Sequence, residues 1–182
     1  MFKSKKNNIA FIGGRGAGKS KLSRKFSKLS DRALFSTDSL ISFEAGGISI
    51  ARLVEKEGWQ TFRNREYKIL KKLCQMDGVI IDCGGGIVVE APTKGQSAES
   101  FSERKVKLLK SCAQVVYIKR DLSWLLQYQP SAQRPDLIGS YQETIERRLS
   151  WYEECANLTL DMGKLAFDEA LSLLLEEYGK IE

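Results

Sequence analysis

Residues 9–20 read Ile9-Ala10-Phe11-Ile12-Gly13-Gly14-Arg15-Gly16-Ala17-Gly18-Lys19-Ser20, and this stretch decides the fold. Four apolar residues running into glycines make a buried strand, and helical periodicity takes over from Lys19 to Leu29. Between them, Gly13 to Ser20 fits G-x-x-x-x-G-K-S in the strand-before, helix-after context that gives this pattern its meaning. The glycines let the backbone wrap close to phosphate and turn its N–H groups inward, and the positive end of the following helix adds to that field. The expected nucleotide contacts are Gly16, Ala17, Gly18, Lys19, Ser20 and Lys21, with Lys19 bridging the β- and γ-phosphates and the Ser20 hydroxyl on Mg²⁺. ATP or GTP is the expected ligand.

Working outward, short apolar strands alternate with helical patterns, which predicts an α/β protein: a five-stranded parallel sheet flanked by helices in three layers. Ala33-Leu34-Phe35 reads as a short second strand, Val79-Ile80-Ile81 as an interior one, Val115-Val116-Tyr117-Ile118 as another and Leu158 to Leu160 as the last. A short helix from Ser49 should stop at Gly58, and a longer one should run from Trp59 to Met76. The segment from Lys164 to Tyr178 carries a leucine stripe and reads as a core-packing helix. Ala91 to Ser102 and Gln129 to Ser140 lack periodicity, carry Pro, Gly and Ser, and read as loops. A single domain covering residues 1–182 accommodates all of this.

Composition narrows the class. The chain is 42% hydrophobic, yet no run approaches the roughly 20 apolar residues of a membrane span. The basic start Met1-Phe2-Lys3-Ser4-Lys5-Lys6 leads into a strand rather than a secretory apolar stretch, so a cytoplasmic protein is expected. Cys74, Cys83, Cys112 and Cys155 are scattered, with no C-x-x-C pair and no histidine in the chain, which argues against a zinc site and for reduced, half-buried thiols. The net charge of +6 is dispersed among acidic residues and not interleaved with aromatics, so no nucleic-acid partner is expected. A mild positive excess suits an enzyme with two anionic substrates.

Six further segments stand out: Phe35-Ser36-Thr37-Asp38; Gly47-Ile48-Ser49-Ile50 with Glu55-Lys56-Glu57-Gly58; Phe62-Arg63-Asn64-Arg65-Glu66; Cys83-Gly84-Gly85-Gly86; Arg134-Pro135-Asp136-Leu137; and Arg148-Leu149-Ser150-Trp151-Tyr152. A carboxylate such as Asp38 can orient an attacking hydroxyl and take its proton, although an Asp after a strand also serves as a helix cap. A guanidinium such as Arg63 matches the two oxygens of a carboxylate, and Glu66 one turn on can hold it, although the same pair can be a solvated surface bridge.

In this order, over nearly the whole length, the segments resemble the shikimate kinases, small P-loop enzymes of the nucleoside-monophosphate-kinase class. The resemblance implies transfer of the γ-phosphate of ATP to shikimate, with Mg²⁺, in aromatic amino-acid biosynthesis. It implies Lys19, Asp38 and Arg134 as catalytic residues, with Arg134 also reaching the nucleotide from a lid over residues 129–140. It implies Asp38, Arg63, Gly85, Gly86 and Arg148 as the acceptor-binding set, within an acceptor region over about residues 38–66. A monomer with no macromolecular partner is expected.

The chain departs from the family pattern at several points. Ser36 stands where the family has an aspartate that reaches Mg²⁺ through water, and Lys21 replaces the usual Ser or Thr. Gln127 holds roughly the place of an arginine near the adenine, Asp136 replaces a leucine, and residues 91–102 form an extra loop. Asp82, closing an apolar strand, resembles the Walker B arrangement and could orient metal-bound water in place of residue 36; it could equally bond to turn amides. A gluconate or nucleoside-monophosphate kinase, and a nucleotide-binding regulator on a decayed kinase fold, stay open beside the first reading.

Overall fold

The computed structural model describes residues 7–127 and 135–179. In chain order the elements are β1 (Asn8–Ile12), α1 (Lys19–Ser30), β2 (Leu34–Ser36), α2 (Thr37–Glu44), α3 (Ile50–Leu73), β3 (Ile80–Asp82), β4 (Val89–Glu90), β5 (Ser100–Phe101), α4 (Glu103–Cys112), β6 (Ala113–Lys119), α5 (Leu122–Gln127), α6 (Tyr141–Cys155), β7 (Leu158–Asp161) and α7 (Phe167–Tyr178).

The main sheet runs β2-β3-β1-β6-β7, and every pairing in it is parallel. Side chains alternate across it. Ile9, Phe11, Ile80, Val116 and Ile118 enter one core with Leu22 and Phe26 of α1 and Leu174 of α7. Ala10, Ile12, Ile81, Val115 and Tyr117 enter the other with Leu70 of α3 and Leu109 of α4. Strands buried on both faces read as continuous apolar runs, which is why these segments were recognisable. The expected five strands, three layers and parallel order are all present.

Serine hydroxyls cap three of the helices. Ser36 Oγ accepts from the Ser39 amide at 3.3 Å, Ser49 Oγ from Arg52 at 3.2 Å and Ser102 Oγ from Lys105 at 3.4 Å. The helices expected on either side of Gly58 are both present: α3 is two helical segments that meet at a kink, where Gly58 takes φ 79° and ψ 164° and leaves helical geometry. That positive φ lies outside the usual range of a side-chain-bearing residue, and it splits the axis without separating the two halves.

Two expectations need correction. Residues 91–102 are not simply a surface loop: β4 and β5 close their base as an antiparallel pair, and Glu99 is turned inward and buried. Nor are all four cysteines thiols. Cys83 and Cys155 are free and buried, but Cys74 and Cys112 form a disulfide with Cα atoms 5.3 Å apart. Cys74 caps α3 and Cys112 ends α4, so the packing of two helix ends creates a proximity that the 38-residue separation conceals.

Candidate active site

The carboxyl ends of β1, β3 and β2 share one edge of the sheet, beside the reversal of strand order where open α/β folds place their ligands. Beyond β1 the chain becomes the phosphate loop. Gly18, at φ 101°, is the N-cap of α1, and the Lys21 and Leu22 amides donate to its carbonyl, each at 3.1 Å. Lys19 is buried rather than exposed, its Nζ donating to the Gly13 and Gly14 carbonyls at 2.9 Å each. Ser20 follows on the first turn. Lys21 is exposed, with its ammonium 4.7 Å from the centre of the Phe167 ring at the start of α7.

Two cavities open at this edge. One of about 340 Å³ is lined by Lys19, Ser20, Ser36, Asp38, Asp82 and Gly84, among others. The second, about 490 Å³, is lined by Asp38, Arg63, Glu66, Gly86 and Arg148 together with the apolar side chains of Phe43, Ile50, Trp59, Phe62 and Leu137. Asp38, Ser39 and Gly85 line both. Asp38 therefore stands where the phosphate cleft meets the larger pocket, in the first turn of α2 just behind the Ser36 cap.

The glycines after β3 exist for close approach. A Cβ on Gly86 would occupy the space of the Arg63 guanidinium, and one on Gly84 would collide with Asp38 Oδ1. The Gly84 amide also donates to Thr37 Oγ1 at 2.8 Å, tying this turn to the start of α2.

The larger pocket is floored by buried charge. Arg63 Nη1 donates to Glu66 Oε2 at 3.2 Å, and Lys105 Nζ donates to the same oxygen at 2.6 Å. The Arg63–Glu66 pair is thus buried, not the solvated bridge its spacing also allowed. Arg63 lies over the rings of Trp59, at 4.9 Å, and Phe62, at 5.3 Å. Lys105 also donates to the Gly86 carbonyl at 3.2 Å and to that of Val89. On the other side, Arg148 Nε and Nη2 donate to Glu99 Oε1 and Oε2 at 2.5 and 2.6 Å, and its Nη1 donates to the Gly85 carbonyl at 3.1 Å. Tyr152 donates its hydroxyl to that carbonyl as well.

Burial and pairing compete at each group. Burial pulls Lys105 down to about 8, with Glu66 opposing the change. Burial would raise Glu66, but Lys105 and Arg63 outweigh it and hold the carboxyl below its ordinary range. Burial likewise works against charge on Arg148, but the hydrogen bonds it donates to Glu99 prevail and its pKa is raised. All of these groups carry charge at neutral pH.

The structure thus brings Lys19, Ser20, Asp38, Asp82, Arg63, Gly85, Gly86 and Arg148 together around the two cavities. Arg134 lies outside the described residues, as does half of the expected lid, residues 129–134; of its remainder, Pro135 accepts from Arg15 Nη1 at 3.0 Å and Leu137 lines the larger pocket. Three participants escaped the sequence reading. Arg15 occupies an unspecified position of the phosphate motif, Lys105 has no motif around it, and Glu99 lies in a segment that reads as loop. Among the described residues no group of three or more His, Cys, Asp or Glu could hold a metal ion. The buried Asp82 Oδ1, without a hydrogen-bond partner beside Ser20 in the phosphate cleft, fits a Mg²⁺ that keeps most of its water.

The sequence model of the family described as shikimate kinase matches residues 15–178. A shikimate kinase of Leptospira biflexa is 43% identical over 175 residues, covering 94% of this chain and 96% of that protein. One of Leptospira borgpetersenii is 41% identical over 177 residues, covering 94% and 98%. Among solved structures, shikimate kinase from Acinetobacter baumannii in complex with shikimate superposes with a TM-score of 0.76 at 27% identity, covering 96% of this chain and 95% of the other.

Proposed function

The chain belongs to the shikimate kinase family, and from that membership and the site geometry we infer that it transfers the γ-phosphate of ATP to shikimate, giving shikimate 3-phosphate in aromatic amino-acid biosynthesis. The observation that carries the reading is the position of Asp38, shared by the phosphate cleft and by a pocket that the buried Arg63 and Arg148 line. A polyhydroxy carboxylate fits that pocket in one sense, its carboxylate toward Arg63 and Arg148 and its hydroxyls toward Asp38. The buried guanidiniums recognise the carboxylate with charge-assisted hydrogen bonds strengthened by the low local dielectric. The Gly85 and Gly86 backbone can approach the ring because no side chain intervenes.

In the transfer, Asp38 orients the attacking hydroxyl and accepts its proton as the new P–O bond forms. Gly16, Ala17 and Gly18 present backbone N–H groups to the phosphates, Lys21 flanks them at the start of α1, and the Lys19 ammonium exchanges its loop carbonyls for the β- and γ-phosphate oxygens. Ser20 would ligate Mg²⁺ and Asp82 would orient its water; the ion supplies charge neutralisation along the triphosphate. Arg134, entering from residues 129–140, would contact the transferring phosphoryl group and exclude water. We take the protein to act as a cytoplasmic monomer; no helix among the described residues is long and apolar enough to cross a membrane.

A coupled assay of ADP release with and without shikimate tests the reading. Release that depends on shikimate is expected. Release unaffected by shikimate but stimulated by gluconate or a nucleoside monophosphate would overturn it.

A further inference from the structure

We propose that Glu99, delivered by the loop between β4 and β5, is a positioning residue for acceptor binding that holds Arg148 in its carboxylate-recognising orientation. This rests on the shikimate reading above and assigns a task to a segment that neither the phosphate motif nor the acceptor motifs include.

Four observations carry it. First, Glu99 is 5% exposed although both its flanks, from Thr93 to Ser97 and at Ser100, are exposed; the loop dips inward at this one residue. Burying a carboxylate is costly unless it is paired and hydrogen-bonded, so a loop that does so must gain a specific partner. Second, that partner is met with the best geometry available to it. Both carboxylate oxygens accept, one from Nε and one from Nη2, so the carboxylate lies along the side edge of the guanidinium. Third, this contact and the Nη1 bond to the Gly85 carbonyl fix the guanidinium in two directions, along its side edge and toward the glycine turn, while Arg148 still lines the pocket. The charge is therefore locked by contacts behind it and presented to the cavity in front. Fourth, the loop is itself tied down. Glu90 of β4 accepts from Arg104 Nε and Nη2, each at 2.7 Å, and from the Ser102 hydroxyl, so the hairpin base that returns the chain toward Glu99 is cross-linked to the start of α4.

Glu99 does not line the larger pocket, so it acts behind the arginine and does not occupy the place of the substrate carboxylate. The arrangement parallels Arg63, which lines the same pocket and is held by Glu66. Each of the two carboxylate-recognising arginines thus has its own buried glutamate, one from the same helix and one from the extra loop. An arginine with a free χ rotation would have to be ordered by each incoming substrate; one already fixed binds without that loss.

The test uses Glu99→Gln, Glu99→Ala and Arg148→Lys in the full chain, with steady-state kinetics for both substrates. Glu99→Gln keeps the shape and the hydrogen-bonding capacity of one oxygen. KM for shikimate should rise about tenfold in Glu99→Gln and more in Glu99→Ala, while KM for ATP changes less than about twofold, a split that a general loss of folding would not produce. The preference of the enzyme for shikimate over its carboxamide analogue should fall in the same variants, because the group being positioned recognises the carboxylate. In an Arg148→Lys background, adding Glu99→Gln should have little further effect, since the residue through which Glu99 acts is already altered. A lower KM for shikimate in Glu99→Gln would mean that Glu99 competes with substrate, and an unchanged KM with a lowered melting temperature would mean that it is structural; either overturns the proposal. A wild-type chain inactive on shikimate would overturn the acceptor reading together with this proposal, whereas an active wild type with unshifted Glu99 variants overturns this proposal alone.

Discussion

Lys105 Nζ donates to Glu66 Oε2 across 2.6 Å with neither side chain exposed to solvent. The lysine thus belongs to the buried charge beneath the acceptor pocket, sharing Glu66 with Arg63. Lys105 titrates at about 8 rather than 10.5 because burial disfavours its charge, so its positive charge, which favours an anionic acceptor beside Arg63, is present at pH 7 and lost as pH rises through 8.

The expected outcome is a KM for shikimate that rises roughly threefold to tenfold between pH 7 and 9.5, the effect of one partly screened charge at close range. The chain itself should not be unfolding in this window on account of Lys105. Its folded pKa is depressed, so the unfolded state binds more protons between about 8 and 10.5, and this group's contribution to stability grows as pH rises there. Lys105→Arg keeps the charge throughout and should flatten the KM profile. A wild-type profile as flat as that of Lys105→Arg would remove the lysine from acceptor binding.

Gly85 and Gly86 make different predictions despite being neighbours. A Cβ on Gly85 meets its nearest atoms at 3.5 and 3.6 Å, ordinary contact distances, whereas a Cβ on Gly86 falls within the Arg63 guanidinium. Gly86→Ala must therefore displace a buried cation and should cost on the order of 1–3 kcal/mol of stability, as overpacking does, with a large rise in KM for shikimate. Gly85→Ala should cost less than about 1 kcal/mol on the same scale. Thermal unfolding of the two variants in parallel checks this, and equal destabilisation would contradict the geometry.

How much of this was readable beforehand depended on whether a residue sits in a distinctive local run. The phosphate loop, Asp38, Arg63 with Glu66, the glycine turn and Arg148 each lie in a short segment whose residue types and spacing stand out, so their patterns survive in the chain even though the groups that hold Arg148, Glu99 and the Gly85 carbonyl, are remote in sequence. The strands were legible because Val79 to Ile81 and Val115 to Ile118 are buried on both faces. Glu99 was not, since its partner is 49 residues away and nothing in the polar segment around it distinguishes one glutamate from a solvated one. Lys105 was hidden for the same reason: a lysine in the first turn of a helix is ordinarily exposed, and it is the packing of α4 against α3 and the glycine turn, whose Gly86 carbonyl accepts from it, that removes it from water. Cys74 and Cys112 likewise meet only through tertiary packing.

Lys19→Ala should abolish turnover, with a loss of at least about a hundredfold in kcat expected for removing a preorganised donor to the transferring phosphate. Its Nζ makes hydrogen bonds to the Gly13 and Gly14 carbonyls in a largely buried setting, so some stability is lost too, on the order of 1–2 kcal/mol. Activity and melting temperature measured on the same preparation separate the two effects. Near-normal turnover in a folded variant would contradict phosphoryl transfer at this loop.

Asp82 ends β3 in register with Ser36 of β2 on one side and Phe11 of β1 on the other. It therefore lies between the position where the family's metal-side carboxylate is missing and the strand that feeds the phosphate loop. Its Oδ1 is buried without a hydrogen-bond partner, and the residue lines the phosphate cleft with Lys19 and Ser20. An unsatisfied buried carboxylate oxygen is expensive, and a metal-bound water is a partner that would satisfy it. Asp82→Asn retains the shape but weakens acceptance from such a water, so the Mg²⁺ concentration for half-maximal activity should rise several-fold, with kcat at saturating Mg²⁺ less affected. Ser36→Asp added to that variant should recover part of the loss. The replacement is compatible with the local fold, because Ser36 caps α2 through its Oγ and aspartate caps as well as serine does. The activity of both variants titrated with Mg²⁺ at fixed ATP decides it: an unchanged requirement in folded Asp82→Asn would show that Asp82 does not act toward the metal.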